Sequence, residues 1–368
     1  MAAAQAKNSN LSKAKNAKND EFYTQYHDIE KEINAYLDYD PNVFKGKTIL
    51  LPCDDPEWSN FTKYFAQNFE RFGLKKLIST SYAPESKKYK TAYQPTIFEV
   101  NDPQFDEYKT VKNGKIFTLD SDKSGDHKID INDLEWTYLK GDGDFKSDEI
   151  RKLRDEADIV ITNPPFSLFR EFLAWIIEAN KQFVLIGSMN AITYKEIFSL
   201  LKTDKMWLGN GFKAGNAYFS SPQSQDYADG VYDKETGLVK FRNCCWYTNI
   251  DHGKRHQPLA LMTMSDNLKF SKHKEIKENG YQTYDNYKAI DVSYTDAIPS
   301  DYEGIMGVPI SFLDKYSPEQ FEIVGSDYEV KDGKLPQLIN PNWKGKLDRG
   351  YINGNRIYSR VLIKHRSK

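Results

Sequence analysis

A strand-like apolar run, Ala157 to Thr162, ends in Asn163-Pro164-Pro165-Phe166, and a helix-like segment, Ser167 to Leu173, follows. An asparagine and two prolines at the exit of a buried strand form a stiff polar corner, at the carboxyl edge where open α/β folds bind ligands. The Asn163 side-chain oxygen and the Pro164 carbonyl offer two acceptors, and proline adds no competing N–H. Phe166 offers a flat face on which a base can stack. Such a corner suits an exocyclic amine such as that of adenine. That nitrogen is a poor nucleophile because its lone pair is delocalised into the ring. To attack a methyl carbon it must become more tetrahedral, and acceptors fixed beforehand on its N–H bonds in a dry site favour that geometry. The methyl donor must lie in line behind the nitrogen. Neither a metal nor a base of unusual pKa is required. The competing reading is an N-cap turn, with Asn163 as cap and a proline in the first helical turn.

The elements that must position this corner alternate along the chain. Residues 20–37 read as a helix, Lys47 to Pro52 as a buried strand, Glu57 to Arg71 as a helix and Leu74 to Ser81 as a second strand. Residues 82–133 are polar and irregular, with turn signals at Asn113-Gly114 and Ser124-Gly125, and suggest an insertion carrying a hairpin. Leu134 to Leu139 reads as a third strand, and a helix from about Ser147 leads to the strand before the corner. A helix over 167–180, a strand from Gln182 to Gly187, a helix over 193–202 and strands at Met206 to Gly209 and Phe241 to Asn249 complete the pattern. This alternation predicts an α/β protein with a Rossmann-like, doubly wound, mostly parallel sheet. Three regions are expected: a flexible basic arm over 1–19, a catalytic domain over 20–250 and a recognition region over 251–368, where short strands and loops replace the alternation.

Composition bounds the function. A chain of 368 residues suffices for a full core and a second module. The apolar runs are too short to span a bilayer, and the N-terminus lacks an apolar signal core. Three cysteines, Cys53, Cys244 and Cys245, suit a reducing cytoplasm, and the histidines show no zinc-ligand spacing with them. Asp120 to Asp126 resembles half of a calcium loop, but the twelfth position is Ile131 instead of glutamate. Net charge is near zero, yet the ends are basic. Lys7, Lys13, Lys15 and Lys18 precede any acid, and from Lys344 onward eight cationic side chains face one acid, Asp348. Arg356, Arg360, Lys364 and Arg366 interleave with Ile357, Tyr358, Val361, Leu362 and Ile363. That pattern predicts a strand with one buried and one basic face, able to grip phosphates together with Lys13, Lys15 and Lys18.

The segment Asp158 to Ser167 resembles motif IV of S-adenosylmethionine-dependent amino-methyltransferases, in its adenine-N6 form. The wider chain resembles the EcoRI-type DNA adenine methyltransferase family. The matching segments are Asp20–Tyr26, Cys53–Pro56 with Ser59–Phe61, Gly141–Phe145, Ile192–Glu196, Trp207–Gly209 and Gly307–Ile310 with Pro318–Phe321. Their order matches the gamma arrangement of this class. The resemblance implies S-adenosylmethionine as cofactor and a site-specific enzyme that methylates N6 of an adenine flipped from duplex DNA. Catalysis would rest on Asn163, Pro164, Pro165 and Phe166. Phe22, Tyr23 and Thr24 resemble motif X, which closes over the methionine moiety. Asp54 or Asp55, in a turn without the usual glycines, would pair with the cofactor's amino group, unless both merely cap the next helix. By resemblance to motif III, Asp144, with Asp142 as competitor, would accept from the cofactor's adenine amine, and Phe145 would pack on its ring. No acidic ribose partner is evident at Ser79 to Tyr82. A cytoplasmic monomer is expected, because one adenine per visit needs no two-fold symmetry, and the sequence leaves open whether a cognate restriction endonuclease acts separately or the enzyme works alone. RNA or protein-glutamine methylation, or a decayed fold that only binds DNA, are the alternatives.

Overall fold

The computed structural model describes residues 22–52, 54, 59–83, 102–212, 216–220 and 230–366. The chain divides into two units, one of residues 1–188 with 209–250 and one of residues 189–208 with 251–368. Residues 189–208, inside the expected catalytic domain, group with the second unit.

In the first unit, β1 (Tyr23–Thr24) and α1 (Tyr26–Tyr39) precede β2 (Thr48–Leu51), α2 (Asn60–Gln67), α3 (Phe69–Phe72) and β3 (Lys76–Thr80). Next come α4 (Glu107–Lys112), β4 (Lys115–Leu119), β5 (Glu135–Tyr138), α5 (Asp148–Glu156), β6 (Ile159–Thr162), α6 (Phe169–Glu178) and β7 (Gln182–Ser188). The second unit contributes α7 (Lys195–Lys202) and β8 (Trp207–Leu208), and the first unit resumes with β9 (Asn216–Ser220), β10 (Tyr232–Asp233), β11 (Leu238–Arg242) and β12 (Cys244–Thr248).

Seven strands of the first unit lie in the order β5-β4-β3-β2-β6-β7-β12. The central four are parallel, and β4, β5 and β12 run antiparallel to their neighbours. The sheet is thus mixed, which corrects the expectation of a mostly parallel one. The reason is local. The polar insertion supplies β4, and the segment read as the third strand, Leu134 to Leu139, pairs with it as the antiparallel edge strand β5, which alternates exposed and half-buried residues, as an antiparallel edge can. The parallel strands β2 and β6 are buried along their whole length, as strands covered on both faces must be. The chain runs outward from β2 to β3, then returns to β6 on the other side of β2, so the connections diverge between β2 and β6. Ligands of open α/β sheets bind at the carboxyl ends beside such a point. A second, antiparallel sheet, β1-β9-β11-β10, holds the segment before α1 as a strand rather than a helix start.

In the second unit β13 (Ile290–Asp291), β14 (Met306–Pro309), β15 (Phe321–Ser326) and β18 (Arg360–His365) form a sheet in the order β13-β14-β18-β15. A separate hairpin pairs β16 (Tyr351–Ile352) with β17 (Asn355–Arg356). Residues 189–208 join this unit through side chains. Lys202 pairs with Glu329 at 2.9 Å, and the Arg255 guanidinium pairs with Asp204 and lies 4.0 Å over the Trp207 ring. Among the described residues no helix is long and apolar enough to cross a membrane.

A buried polar network ties β18 down. Asp291 accepts from Arg360 Nε at 2.8 Å, the Tyr284 hydroxyl at 2.6 Å and the Ser293 hydroxyl at 2.6 Å. The Arg360 backbone N–H donates to Asp327 Oδ2 at 2.7 Å, and the Ser359 hydroxyl and the Arg349 and Arg360 charges also favour the carboxylate. Burial raises the Asp327 carboxyl to about 6. Because that value lies above the ~3.9 of an unstructured chain, protonation favours the folded state. The stabilising contribution is complete below about pH 4 and is lost as pH rises through 6. Asp327→Asn keeps an acceptor for the Arg360 N–H without the charge. Urea denaturation should therefore show the variant more stable than wild type by about 1–3 kcal/mol at pH 8, with the gap closing towards pH 4. A gap independent of pH would contradict this.

Candidate active site

The corner is built at the seam between β2 and β6. Thr162, the last residue of β6, contacts both the Pro52 carbonyl at 2.9 Å and Asp54 Oδ2 at 2.6 Å through its hydroxyl. Asp54 is buried and also accepts from Ser59 Oγ at 2.8 Å through Oδ1, while its backbone carbonyl accepts from Ser79 Oγ and, at 3.3 Å, from Thr62 Oγ1. Four hydroxyls from the ends of β3, β6 and the start of α2 therefore converge on one residue. A buried carboxylate needs such donors, because desolvation without hydrogen bonds is costly. Ser59 itself caps α2, accepting from Phe61 N at 3.1 Å. Asp54 is thus not the cap. Asp55 lies outside the described residues.

Asn163 follows directly. Its Nδ2 donates to the Phe22 carbonyl at 2.7 Å, and its Oδ1 is buried without a partner among the described residues. A carbonyl only accepts, so the amide nitrogen must face Phe22 and the oxygen must face away from it. The N-cap reading does not hold. The chain passes through a 3-10 turn, Phe166–Leu168, before α6 starts, and neither helix uses an Asn163 cap. The Pro165 carbonyl closes that turn by accepting from Leu168 N at 2.8 Å, and no described residue donates to the Pro164 carbonyl. The corner thus holds two acceptors, Asn163 Oδ1 and the Pro164 carbonyl, that no described residue uses.

The segment expected to close over a cofactor packs against this corner. β1 pairs with β9, Tyr23 opposite Ser220 and Thr24 opposite Phe219. Asn60 Nδ2, from the first turn of α2, donates to the Thr24 carbonyl at 2.7 Å. Thr24 is buried and its hydroxyl oxygen has no partner among the described residues. Phe22 and Phe166 lie face to face with centroids 6.2 Å apart, and Phe241 approaches both, at 4.6 and 5.2 Å. Phe219 completes a four-ring cluster. Sequence reasoning missed Thr162, Phe219 and Phe241. Thr162 had a signal, a hydroxyl at the end of an otherwise apolar strand, whereas Phe219 and Phe241 are assigned only by the β9–β11 pairing.

The Gly141–Phe145 turn lies against the end of β3. Ala83 N donates to the Asp142 carbonyl at 2.8 Å, and a Cβ on Gly143 would sit 2.3 Å from the Ser81 carbonyl oxygen. Gly143 also has φ +89°, so glycine is required there on both counts. Gly141 has open space around it, and no close approach explains it. Asp142 Oδ1 accepts from Asp144 N at 3.1 Å, and Asp144 Oδ1 from Lys146 N at 2.9 Å. Phe145 is 4% exposed, packed on Phe172 at 5.0 Å and Trp175 at 5.7 Å, which leaves little of its ring for a ligand.

The expected phosphate grip of the tail is corrected. The first four residues of β18 are all buried, because the strand is interior to its sheet, so no basic face forms. Arg360 is held in the buried pair with Asp291 and is not available to DNA. Lys364 pairs with Glu322 across the sheet at 3.0 Å, Arg366 bonds the Pro318 carbonyl, and Arg356, though exposed, pairs with Asp348 at 2.7 Å. Lys13, Lys15 and Lys18 lie outside the described residues. In the calcium-like stretch, Asp122 accepts backbone N–H groups of Gly125 and His127. The Cys244 and Cys245 side chains are buried, and burial pushes the Cys244 thiol up to about 12, which makes it a poor nucleophile.

The family described as adenine-specific methyltransferase EcoRI matches residues 10–366. The chain is 39% identical to the type II methyltransferase M.EcoRI of Escherichia coli, over 98% of each chain. It is 34% identical to the type II methyltransferase M.MgeORF184P of Mycoplasma genitalium, over 96% of this chain and 98% of that protein. To the type II methyltransferase M.MpnI of Mycoplasma pneumoniae it is 33% identical, over 97% and 98% respectively. No solved structure matches the chain. An asparagine-proline corner with idle acceptors at the sheet's divergence point, within a match that spans nearly every residue, places this chain in the EcoRI family of adenine-specific methyltransferases.

Proposed function

We propose that the chain transfers a methyl group from S-adenosylmethionine to N6 of an adenine flipped out of duplex DNA. The observation that carries this reading is Asn163 Oδ1, a buried acceptor with no partner among the described residues, whose orientation the Phe22 carbonyl dictates. Together with the Pro164 carbonyl it accepts the two amine hydrogens. The nitrogen then pyramidalises and its lone pair is aimed out of the ring plane. S-adenosylmethionine supplies a methyl carbon made electrophilic by its sulfonium. As the N–C bond forms, the C–S bond breaks, and the surplus proton on nitrogen leaves to water. Phe166 stacks the base and offsets part of the few kcal/mol needed to extract it.

The residues present suit that cofactor. The Thr24 hydroxyl, buried and without a partner among the described residues, lies on the segment that orients Asn163. Cofactor contacts are assigned to Phe22–Thr24, to the turn carrying Asp54 and Asp55, and to Asp144 with Asp142 as competitor. Asp54 acts chiefly by holding β2 to β6. Phe145 supports the Asp144 turn from beneath. A glycine-poor turn after β2 is compatible with a ligand that has no phosphates to cradle. Lys13, Lys15 and Lys18 are assigned to DNA phosphates, the region beyond residue 250 to target recognition and the active form to a monomer. The catalytic unit is read as a class I methyltransferase fold, and a cognate restriction endonuclease, where one exists, acts separately.

Asn163→Ala should lower methylation of duplex DNA at least about 10³-fold, while calorimetry shows S-adenosylmethionine binding largely retained. Turnover within tenfold of wild type would reject the role. Thr162→Val removes the hydroxyl that holds the corner to the turn after β2. Its kcat should fall roughly 10- to 100-fold, with Thr162→Ser restoring most of it. A Thr162→Val enzyme that is merely less stable, with unchanged kcat, would show the hydroxyl to be structural only.

A further inference from the structure

The second unit carries a rigid projection to which the methyl-transfer site assigns no role. β16 and β17 are joined by Asn353-Gly354, with φ of 50° and 72°, the backbone of a tight hairpin turn. The hairpin is fastened at its turn and at its base. Gly354 N donates to Asp285 Oδ2 at 2.8 Å, Tyr351 N to Asn286 Oδ1 at 3.0 Å, and the fully buried Asn286 donates to the Arg349 carbonyl at 2.7 Å. Ile352 and Ile357 pack on the hydrophobic cluster of this unit. Beside the hairpin, the Lys344–Lys346 turn is closed by Trp343 Nε1, which donates to the Lys346 carbonyl at 3.0 Å, and the Trp343 ring packs on Tyr351 at 5.1 Å.

Two features of this rigid frame lack an internal explanation. Tyr358 is 86% exposed, more than any other large hydrophobic side chain among the described residues. Lys344 and Lys346 are exposed and have no ion-pair partner among the described residues. The acid nearest in sequence, Asp348, is already paired with Arg356. An ordered surface with uncompensated positive charge and a bare aromatic ring fits a polyanion that also presents flat faces or sugar edges.

We propose that this hairpin surface docks on duplex DNA, with Lys344 and Lys346 on phosphates and the Tyr358 ring against the sugar-base edge. The inference rests on the DNA-methyltransferase reading and moves the contact away from β18, whose cations are occupied, to the adjoining turn and hairpin. The probe is a duplex fragment that the wild-type chain methylates, found by modification-sensitive sequencing of DNA from cells expressing it. Binding of the full chain is followed by fluorescence anisotropy across a salt series. Lys344→Ala with Lys346→Ala should reduce the log Kd versus log salt slope by nearly 2, and Tyr358→Ala should weaken binding roughly tenfold. Thermal unfolding and S-adenosylmethionine affinity should not change, because all three side chains are exposed. If no DNA is methylated by wild type, the functional reading itself fails. If wild type methylates DNA but the lysine variant keeps its salt slope, or Tyr358→Ala keeps its affinity, the docking surface is overturned.

Discussion

A single hydrogen bond, from Asn163 Nδ2 to the Phe22 carbonyl, sets the polarity of the site. A carboxamide can present either end, and in a polar pocket the two ends exchange at little cost. A backbone carbonyl removes the choice, because it can only accept. The oxygen is then left buried with no donor among the described residues, at a cost of order 1–3 kcal/mol. Such an orphan is rare in native proteins and calls for an explanation. In the proposed function that explanation is a ligand donor, the amine of the target base.

Everything nearby keeps that bond in register. Phe22 is held because β1 pairs with β9 and because Asn60 fixes the Thr24 carbonyl. Asn163 is held because Thr162 fastens the end of β6 to the turn after β2 through Asp54. The two supports come from different sheets, so the corner is fixed from opposite sides before any ligand arrives. Electrostatic preorganisation of this kind requires no unusual pKa, only acceptors that do not move as charge develops. The hydroxyl-to-carboxylate seam suits the task better than packing would, because hydrogen bonds fix direction as well as distance.

Much of this was legible in the sequence. The corner was visible because asparagine and two prolines have no packing use at the exit of a buried strand. The parallel strands were visible because burial on both faces writes a continuous apolar run, as in Ile159 to Thr162. What failed depended on partners distant in sequence. Tyr23-Thr24 read as a helix start, yet β9, nearly two hundred residues later, makes it a strand. Arg360 read as a phosphate contact because alternation with apolar residues suggests a half-exposed strand. The strand is interior, and Asp291 neutralises the arginine within the unit. The edge strand at Leu134 to Leu139 was legible, but its antiparallel direction was not, because its partner β4 lies in an insertion whose polar composition gives turns but no register. Residues 189–208 read as a continuation of the alternating pattern, while the side chains of Lys202 and Asp204 tie them to the second unit.

The most direct test is a crystal structure of the chain with sinefungin and duplex DNA carrying its methylation site. The account predicts that the target adenine lies outside the helix with its N6 within about 2.7–3.2 Å of both Asn163 Oδ1 and the Pro164 carbonyl, and with Asn163 Nδ2 still on the Phe22 carbonyl. An Asn163 oxygen bonded to protein, with the adenine amine held by other groups, would contradict it.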